Sequence, residues 1–593
     1  MDDTAPKPSQ PADATPIAIL APAAAPPPGS ARARARTSFA LLIDPYLDWF
    51  NQSILRGVSD FARENGAHLI CVAASIRDAA CPLRDLIGPL NVDGVLVATA
   101  TLSTFIKEKA ELARFFDRFK PLPCVSVGVA LDGIPSVEID NRAGMAELLH
   151  HLIHAHRFRR IAFVRGPENN QCAQVRYEVY QEVLKRNEIA FDPELVVEGD
   201  WTPAAGADAI HVLKDVRNQK LDAVVCADDL IASGAIEALH ARGLRVPADV
   251  AVVGFDNDAN VGFSLTTVHQ PVQMLGRKAA AMLLALVRGA ETPKAEVLPT
   301  ELIVRRSCGC FLADVTNSVA QTAVGSSQPP AAMLARQREM TLTEMMRAAR
   351  RFAVGVSPEW PERLFNAFVR DITGEARGEF LSVLDTILVQ EWLEHQRIEP
   401  WQNVLSVLRR QLLPCLTTSA MFAEAENVWH QARVLVAEAA ERMHGYQQEQ
   451  RTWQALRLMN VNATYFSKDI KSLADAFAQK LPGLGIDRCY AVVFEGNGDG
   501  AGATPEWARL VLAYDEEEHI ELEPGGLRFP ARQLVPEDFL PDYRSVTLWA
   551  ADLEKDQKRL GAIFFEMGPN DVYLYETLRR QFSEPLSRLL NQS

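Results

Sequence analysis

The sequence predicts an α/β chain in which parallel sheets come first, an all-α segment follows, and a small α+β unit lies toward the C-terminus. Three stretches carry this expectation. LDAVVCADDLIASGAIEALHARGLRVPADVAVVGFD (221–256) reads as buried strand, acidic turn, amphipathic helix and second buried strand. Residues 333–455 are dominated by helix formers, and 489–568 hold several runs with strand alternation.

In the first stretch, Val224 and Val225 supply β-branched residues for one strand, and Val250, Val252 and Val253 for the next. Ile231, Ala235, Ala238 and Leu239 form an apolar helix stripe, and Gly243 stands where a helix end favours a left-handed residue. Asp229 and Asp256 therefore fall at the carboxyl ends of parallel strands, the edge at which open α/β sheets bind ligands.

Other segments extend the pattern over 38–310. SFALLIDPYLDWFNQSILRGVSDFARENGAHLICVAAS gives strand, loop and helix; NVDGVLVAT (91–99) and LPCVSVGV (122–129) give further strands. RRIAFVRGPENNQCAQVRYEVYQEVL (159–184), GDWTPAAGADAI (199–210), GFDN and LTTVHQP (265–271) complete an ordered set. Taken in this order, the segments resemble the effector-binding core of the LacI/GalR family, a relative of sugar-binding periplasmic proteins. The resemblance implies a two-lobed periplasmic-binding-protein-like domain over 38–312, hinged by three crossovers, one of them near 265–271. It also implies a homodimer.

It further implies a ligand pocket. Arg176 occupies the place of the family's ligand-gripping arginine, Trp201 that of an aromatic laid over the ligand, and Asp48 that of a loop Asn or Asp. Gln270, within the crossover, belongs to the same set. Asp228 stands where relatives usually carry Asn, which exchanges a mixed donor and acceptor for an acceptor alone. The chemistry suits a polyol: Asp229 and Asp256 accept hydroxyl hydrogen bonds, Arg176 offers a planar fork of donors, and Trp49, Phe50 and Trp201 supply flat apolar walls. Helix capping is the competing role for Asp228 and Asp229, and a turn role for Asp256. If the Arg176 fork grips ligand alone, Arg176→Ala removes binding and spares the fold.

Family members that bind DNA begin with a helix-turn-helix headpiece. Residues 1–37, MDDTAPKPSQPADATPIAILAPAAAPPPGSARARART, are too rich in Pro and Ala to build one and read as a disordered tail rather than an export signal. Arg32, Arg34 and Arg36 in such a tail read as solvated. A formal charge of −15 over 593 residues opposes an extensive grip on phosphate, so direct DNA binding is not expected. No apolar run is long enough for a bilayer, and nine cysteines scattered over strands and helices suit a reducing cytoplasm.

After a Ser/Gln/Pro-rich linker at 313–332, the 333–480 region reads as helical, with Trp360, Trp392, Trp401, Trp429 and Trp453 as core anchors. From Ala423 to Lys480 it is similar to the connecting helices of signalling proteins, with Val434, Ala437, Leu456, Met459 and Phe466 able to face a partner helix. Residues 481–593 hold CYAVVFEG, ARLVLAYD, YRSVTLWAADL and RLGAIFFEMG between two helices, an order similar in layout to a GAF-type sensor domain. In proteins of that layout an output module commonly follows; no cyclase, kinase or DNA-binding signature is read after Leu590.

Two clusters bear on metals. His150 and His154 share a helix face at i, i+4 spacing, but no HExxH pattern or nearby carboxylate completes a site. His156 matches a structural position of the family. Cys308 and Cys310 form a CxC that provides two ligands, too few to close a tetrahedral site unless a dimer supplies four, and they read as ordinary thiols. No cofactor is expected. No GxSxG, P-loop or GxGxxG in suitable context supports an enzyme. The leading expectation is a cytoplasmic ligand-sensing regulator with a small-molecule effector, sugar-like or a related polyol. Closure of its lobes would pass through the helices to the GAF-like domain and a downstream signalling protein. The alternatives are a transcriptional regulator that reaches DNA by an unrecognised element or partner, and a scaffold with a degenerate pocket.

Overall fold

The computed structural model describes residues 36–44, 49–73, 81–106, 109–258, 261, 265–310, 330–349, 359–394, 398, 401–416, 418–459, 467–495, 504–516, 518–523, 525–541, 543–555, 558–568 and 572–591. Arg32, Arg34 and residues 313–329 of the linker lie outside them; Arg36 is inside and donates to the carbonyl of Gly66 at 3.1 Å.

Lobe 1 is a parallel sheet of β1 (Ser38–Ile43), β2 (His68–Ala73), β3 (Gly94–Val97), β4 (Cys124–Val127), β5 (Ser136–Ile139) and β11 (Ala295–Leu298), in the order β11-β5-β4-β3-β1-β2. Its strands are nearly continuous apolar runs, as required when both faces are covered. One face is covered by α1 (Trp49–Glu64) and α9 (Val272–Val287). These helices cross so closely that a Cβ on Gly57 would meet the carbonyl oxygen of Gln273 at 1.9 Å, and one on Gly276 that of Ile54 at 2.3 Å. Short helices α2 (Pro82–Leu86), α3 (Thr99–Leu102) and α4 (Lys109–Phe115) complete the lobe.

Lobe 2 is the parallel sheet β7-β6-β8-β9, formed by β6 (Ile161–Val164), β7 (Val196–Val197), β8 (Ala223–Cys226) and β9 (Ala251–Val253). It carries α5 (Asn141–His150), α6 (Gln171–Arg186), α7 (Pro203–Ile210) and α8 (Asp229–Ala241). The expected α8 stripe is buried, and Gly243 has φ +74 just beyond the helix. The strand pair β10 (Thr267–His269) and β12 (Glu301–Ile303) lies at the crossovers between lobes. The chain crosses at Asp140, Gln270 and Thr300, and Thr300 Oγ1 donates to the Asp140 carbonyl at 3.2 Å.

The all-α segment comprises α10 (Pro330–Ala349), α11 (Trp360–Thr373), α12 (Glu379–Glu394), α13 (Trp401–Leu412) and α14 (Ser419–Met459). Trp360, Trp401 and Trp429 are buried, with Trp360 edge-on to Trp401 at 4.9 Å and Trp429 stacked on Phe368 at 5.0 Å. They anchor a core, as expected; the side chains of Trp392 and Trp453 lie outside the described ones. The connecting helix is shorter than the Ala423–Lys480 reading. Over the described residues α14 runs 41 residues to Met459, about 60 Å; 467–469 are not helical, and a new helix α15 (Ile470–Ala478) begins there, capped by Asp469. Val434 and Ala437 are exposed on α14; the side chains of Leu456, Met459 and Phe466 lie outside the described ones.

The C-terminal unit is an antiparallel sheet of β13 (Arg488–Glu495), β14 (Trp507–Asp515), β15 (Glu518–His519), β16 (Leu527–Pro530), β17 (Thr547–Lys555) and β18 (Lys558–Glu566), backed by α15 and α16 (Val572–Leu590). It is not reached through helices alone. Edge strand β17 pairs in parallel with β2, the edge of lobe 1, with Thr547 opposite Leu69 and Ala550 opposite Val72. The two sheets therefore form one continuous 12-stranded sheet. The Leu69 amide donates to the Val546 carbonyl at 2.9 Å, and the Val546 amide to His68 Nδ1 at 3.2 Å. Each unit closes the other's open edge, and the apolar cores on both faces run across the junction. No described helix is long and apolar enough to cross a membrane.

Candidate ligand-binding site

Arg176, on the second turn of α6, is buried, and its guanidinium is the centre of the site. Nε donates to Asn141 Oδ1 at 2.8 Å and Nη1 to the Ala227 carbonyl at 2.6 Å; Nη1 also lies 3.6 Å from Asp256 Oδ1. Phe255 lies against its flat face, 3.8 Å from ring centre to guanidinium carbon. Gln270 Nε2 closes the set by donating to Asp256 Oδ1. Asp256 has φ +126, a backbone state that a residue with a Cβ adopts only under constraint, and such constraint concentrates at functional sites. Burial pushes the Asp256 carboxyl well up, against the opposing pull of Arg176. Among the described residues nothing engages Arg176 Nη2 or Asp256 Oδ2, which leaves one donor and one acceptor on this pair.

This geometry corrects one expectation. The Arg176 fork does not serve a ligand alone, because two of its nitrogens hold Asn141 and the end of β8; Arg176→Ala therefore disturbs the fold as well. Asp228 caps α8, its Oδ1 accepting from the Ile231 amide at 2.7 Å. Asp229 is buried and internally engaged: Oδ1 accepts from Thr267 Oγ1 at 2.6 Å and Oδ2 from the Asp258 amide at 2.9 Å. Burial outweighs these bonds and holds its carboxyl up at about 6. Its job in the fold is to tie α8 to the loop after β9, and a Cβ on Gly254 would meet its Oδ1 at 2.2 Å.

Trp201, at φ +67, lies over Gly166, where a Cβ would come 2.4 Å from the ring, and its ring sits 5.9 Å from the Arg176 guanidinium. Trp201, Arg176, Asp256 and Gln270 thus come together. Trp49 and Phe50 open α1, half-buried against the lobe 1 core; no described contact joins them to Arg176. Asp48 lies outside the described residues.

Comparison with known proteins fits this architecture. The family model described as a periplasmic binding protein-like domain matches residues 149–308. The HTH-type transcriptional regulator CelR of Thermobifida fusca is 37% identical over 185 residues, 30% of this chain and 54% of CelR. The HTH-type transcriptional repressor CytR of Escherichia coli K12 is 30% identical over 284 residues, 46% of this chain and 80% of CytR. The chain belongs to the LacI family. A solved structure titled as a CelR–cellobiose complex is 31% identical and covers 46% of this chain and 85% of that one, at a TM-score of 0.40. Just over half of CelR is spanned by its match. Regulator, not enzyme, is the reading these relatives share.

Sequence reasoning missed two residues of this candidate site. Asn141, the first residue of α5, orients Arg176. Asn170 caps α6 by accepting from the Ala173 amide at 3.0 Å, while its Nδ2 reaches across the cleft to the Ala100 carbonyl at 3.0 Å and Thr104 Oγ1 at 2.9 Å. A helix-capping Asn before QCAQVR was the available signal, but capping alone explained it. That its amide also bridges the lobes depends on α3, which lies about 70 residues away in sequence.

Proposed function

We propose that this chain is a ligand-sensing regulator that takes a small hydroxyl-rich molecule, sugar-like or a related polyol, between its lobes. One observation carries the reading: among the described residues nothing engages Arg176 Nη2 or Asp256 Oδ2, and the Arg176 guanidinium lies 5.9 Å from the Trp201 ring, which offers a donor, an acceptor and a flat apolar face to one ligand. A ring with adjacent hydroxyls uses all three, stacking its C–H face while its hydroxyls bridge Arg176 and Asp256. Asp48, Trp49, Phe50 and Asp228 belong to the same proposal as contributors around this core, whereas both oxygens of Asp229 are engaged within the protein and it serves by holding the loop after β9 in place.

Signal transmission follows from the sheet junction. With β17 fastened to β2, lobe 1 and the GAF-like unit move as one body, and closure of lobe 2 is motion against that body. The helical segment from α10 to α14 joins the exit of the binding domain to the C-terminal unit and would take up the displacement. A homodimer with a downstream signalling protein completes the reading. A thermal-shift screen with sugars, sugar acids and nucleosides tests it: a ligand at 100 times its Kd stabilises by about 2.7 kcal/mol. No shift with any class, together with side chains filling the cleft in an experimental structure, would sink it in favour of a scaffold. A second reading has the relatives' names in its favour: a transcriptional regulator that reaches DNA through a further element or a partner.

A further inference from the structure

The structure joins two histidines and two cysteines that the sequence keeps far apart. α5 does not end cleanly at His150 but continues into a π-helical turn, His151–Ala155. A π turn advances about one residue more per turn than an α-helix, so positions i and i+5 share a face. His151 and His156 stand in that relation, with ring centres 5.0 Å apart. At the other end of the binding domain, Arg306–Cys308 form a 3-10 turn capped by Gly309 at φ +109. This reversal turns Cys308 and Cys310 to the same side, and a Cβ on Gly309 would come within 3.4 Å of His156. The result is His151 Nε2 at 3.5 Å from Cys308 Sγ and 3.7 Å from Cys310 Sγ, with His156 Nε2 at 3.3 Å from Cys310 Sγ. One ligand atom from each of the four residues lies within 4.8 Å of the others.

We propose that His151, His156, Cys308 and Cys310 form a structural Cys2His2 zinc site. Bonds of about 2.3 Å to sulfur and about 2.0–2.1 Å to nitrogen, at tetrahedral angles, place sulfur and nitrogen ligands about 3.5 Å apart, and the three measured separations bracket that value. Two thiolates balance the charge of one divalent ion, and binding releases the two thiol protons. The set is closed, with no position left for water, which marks a structural rather than a catalytic centre. His150 and His154, the pair with helical spacing, instead stack on each other at 5.4 Å and take no part. The site rivets the exit of the binding domain to the first helix of lobe 2. The chain leading to α10 is thereby tethered to one lobe, while β17 is fastened to the other.

Metal analysis of the full chain purified under reductant is expected to find about one zinc per chain. The pair Cys308→Ser with Cys310→Ser, or His151→Gln with His156→Gln, should bring this close to zero, while His150→Gln with His154→Gln keeps it. The Co2+-exchanged chain should show thiolate-to-cobalt charge-transfer absorption and the intense visible bands of a tetrahedral ion. If the double variants fail to fold, the wild-type zinc content and the cobalt spectrum decide alone. Wild-type protein free of zinc, zinc unchanged in the cysteine pair, or an octahedral cobalt spectrum without thiolate bands would overturn the assignment.

Discussion

Asn170 of lobe 2 donates through Nδ2 to the main-chain carbonyl of Ala100 in lobe 1, at 3.0 Å, from the same side chain whose oxygen caps α6. One amide thus starts a helix and latches the cleft. Asn170→Asp separates these roles, because the carboxylate still caps the helix while its charge faces the Ala100 carbonyl with no donor. The Thr104 hydroxyl can turn to donate to the carboxylate, so the loss is the bond to Ala100, about 0.5–1.5 kcal/mol, which makes the closed form up to roughly tenfold less favoured. The expected result is a larger radius of gyration by small-angle scattering and weaker ligand binding at unchanged helix content. An unaltered radius and affinity would show that the latch does not hold the lobes.

Arg176 tests the pocket and the fold together. Arg176→Ala strips the Ala227 carbonyl and Asn141 of their donor and should cost about 1–3 kcal/mol of stability, together with loss of effector binding. Arg176→Lys restores a charge but not the fork, so stability should recover more than affinity. Calorimetry that finds native affinity in either variant would remove Arg176 from the site.

Coupling across the sheet junction is readable by hydrogen exchange. Arg488, buried in the C-terminal unit, pairs with Asp515 at 2.5 Å, Glu516 at 2.9 Å and Glu566 at 3.0 Å. Arg488→Ala leaves the buried Glu566 to Arg544 alone, while Asp515 and Glu516 reach solvent, and should cost about 1–3 kcal/mol. Because the Leu69 amide of lobe 1 donates to Val546, its exchange should accelerate in step with the C-terminal amides. Leu69 protection that ignores the substitution would mean that the two sheets open independently.

Asp552 of β17 faces Cys81 of lobe 1, which donates to it at 3.3 Å, and burial raises the Asp552 carboxyl to about 6. An acid with a raised folded pKa holds its proton more tightly when folded. It therefore adds stability as pH falls from about 6 toward the ordinary carboxylate range, and that contribution is lost as pH rises through 6. The difference in stability between Asp552→Asn and wild type should change by up to about 3 kcal/mol over that interval, with the variant relatively favoured at neutral pH. A difference that stays flat in denaturant titrations from pH 4 to 8 would contradict this.

A formal charge of −15 opposes sequence-independent attraction to phosphate, and the full chain is expected to show no selective duplex binding at physiological salt. Nanomolar, sequence-selective anisotropy changes would promote the transcription-factor reading.

What the sequence determined by itself is whatever repeats locally. The buried valines of β8 and β9, the stripe of α8, Gly243 beyond its end and the tryptophans of the helical segment follow from period and propensity, because each needs only neighbours within one element. The candidate site was legible only in part: Arg176, Trp201, Asp256 and Gln270 lie together in the structure, yet whether Asp228 and Asp229 face the cleft or the fold depends on hydrogen bonds to Ile231, Thr267 and Asp258. Tertiary structure alone decided the rest. The edge of β2 accepts β17 from nearly 480 residues away, as the Val546–His68 bond shows, and nothing in either strand's alternation specifies a partner. Likewise, His151 and His156 meet Cys308 and Cys310 only because a π turn and a left-handed glycine aim them at one point. Sequence periodicity fixes which face of an element is apolar; which distant element covers that face, and which polar atoms then coincide, is set by packing.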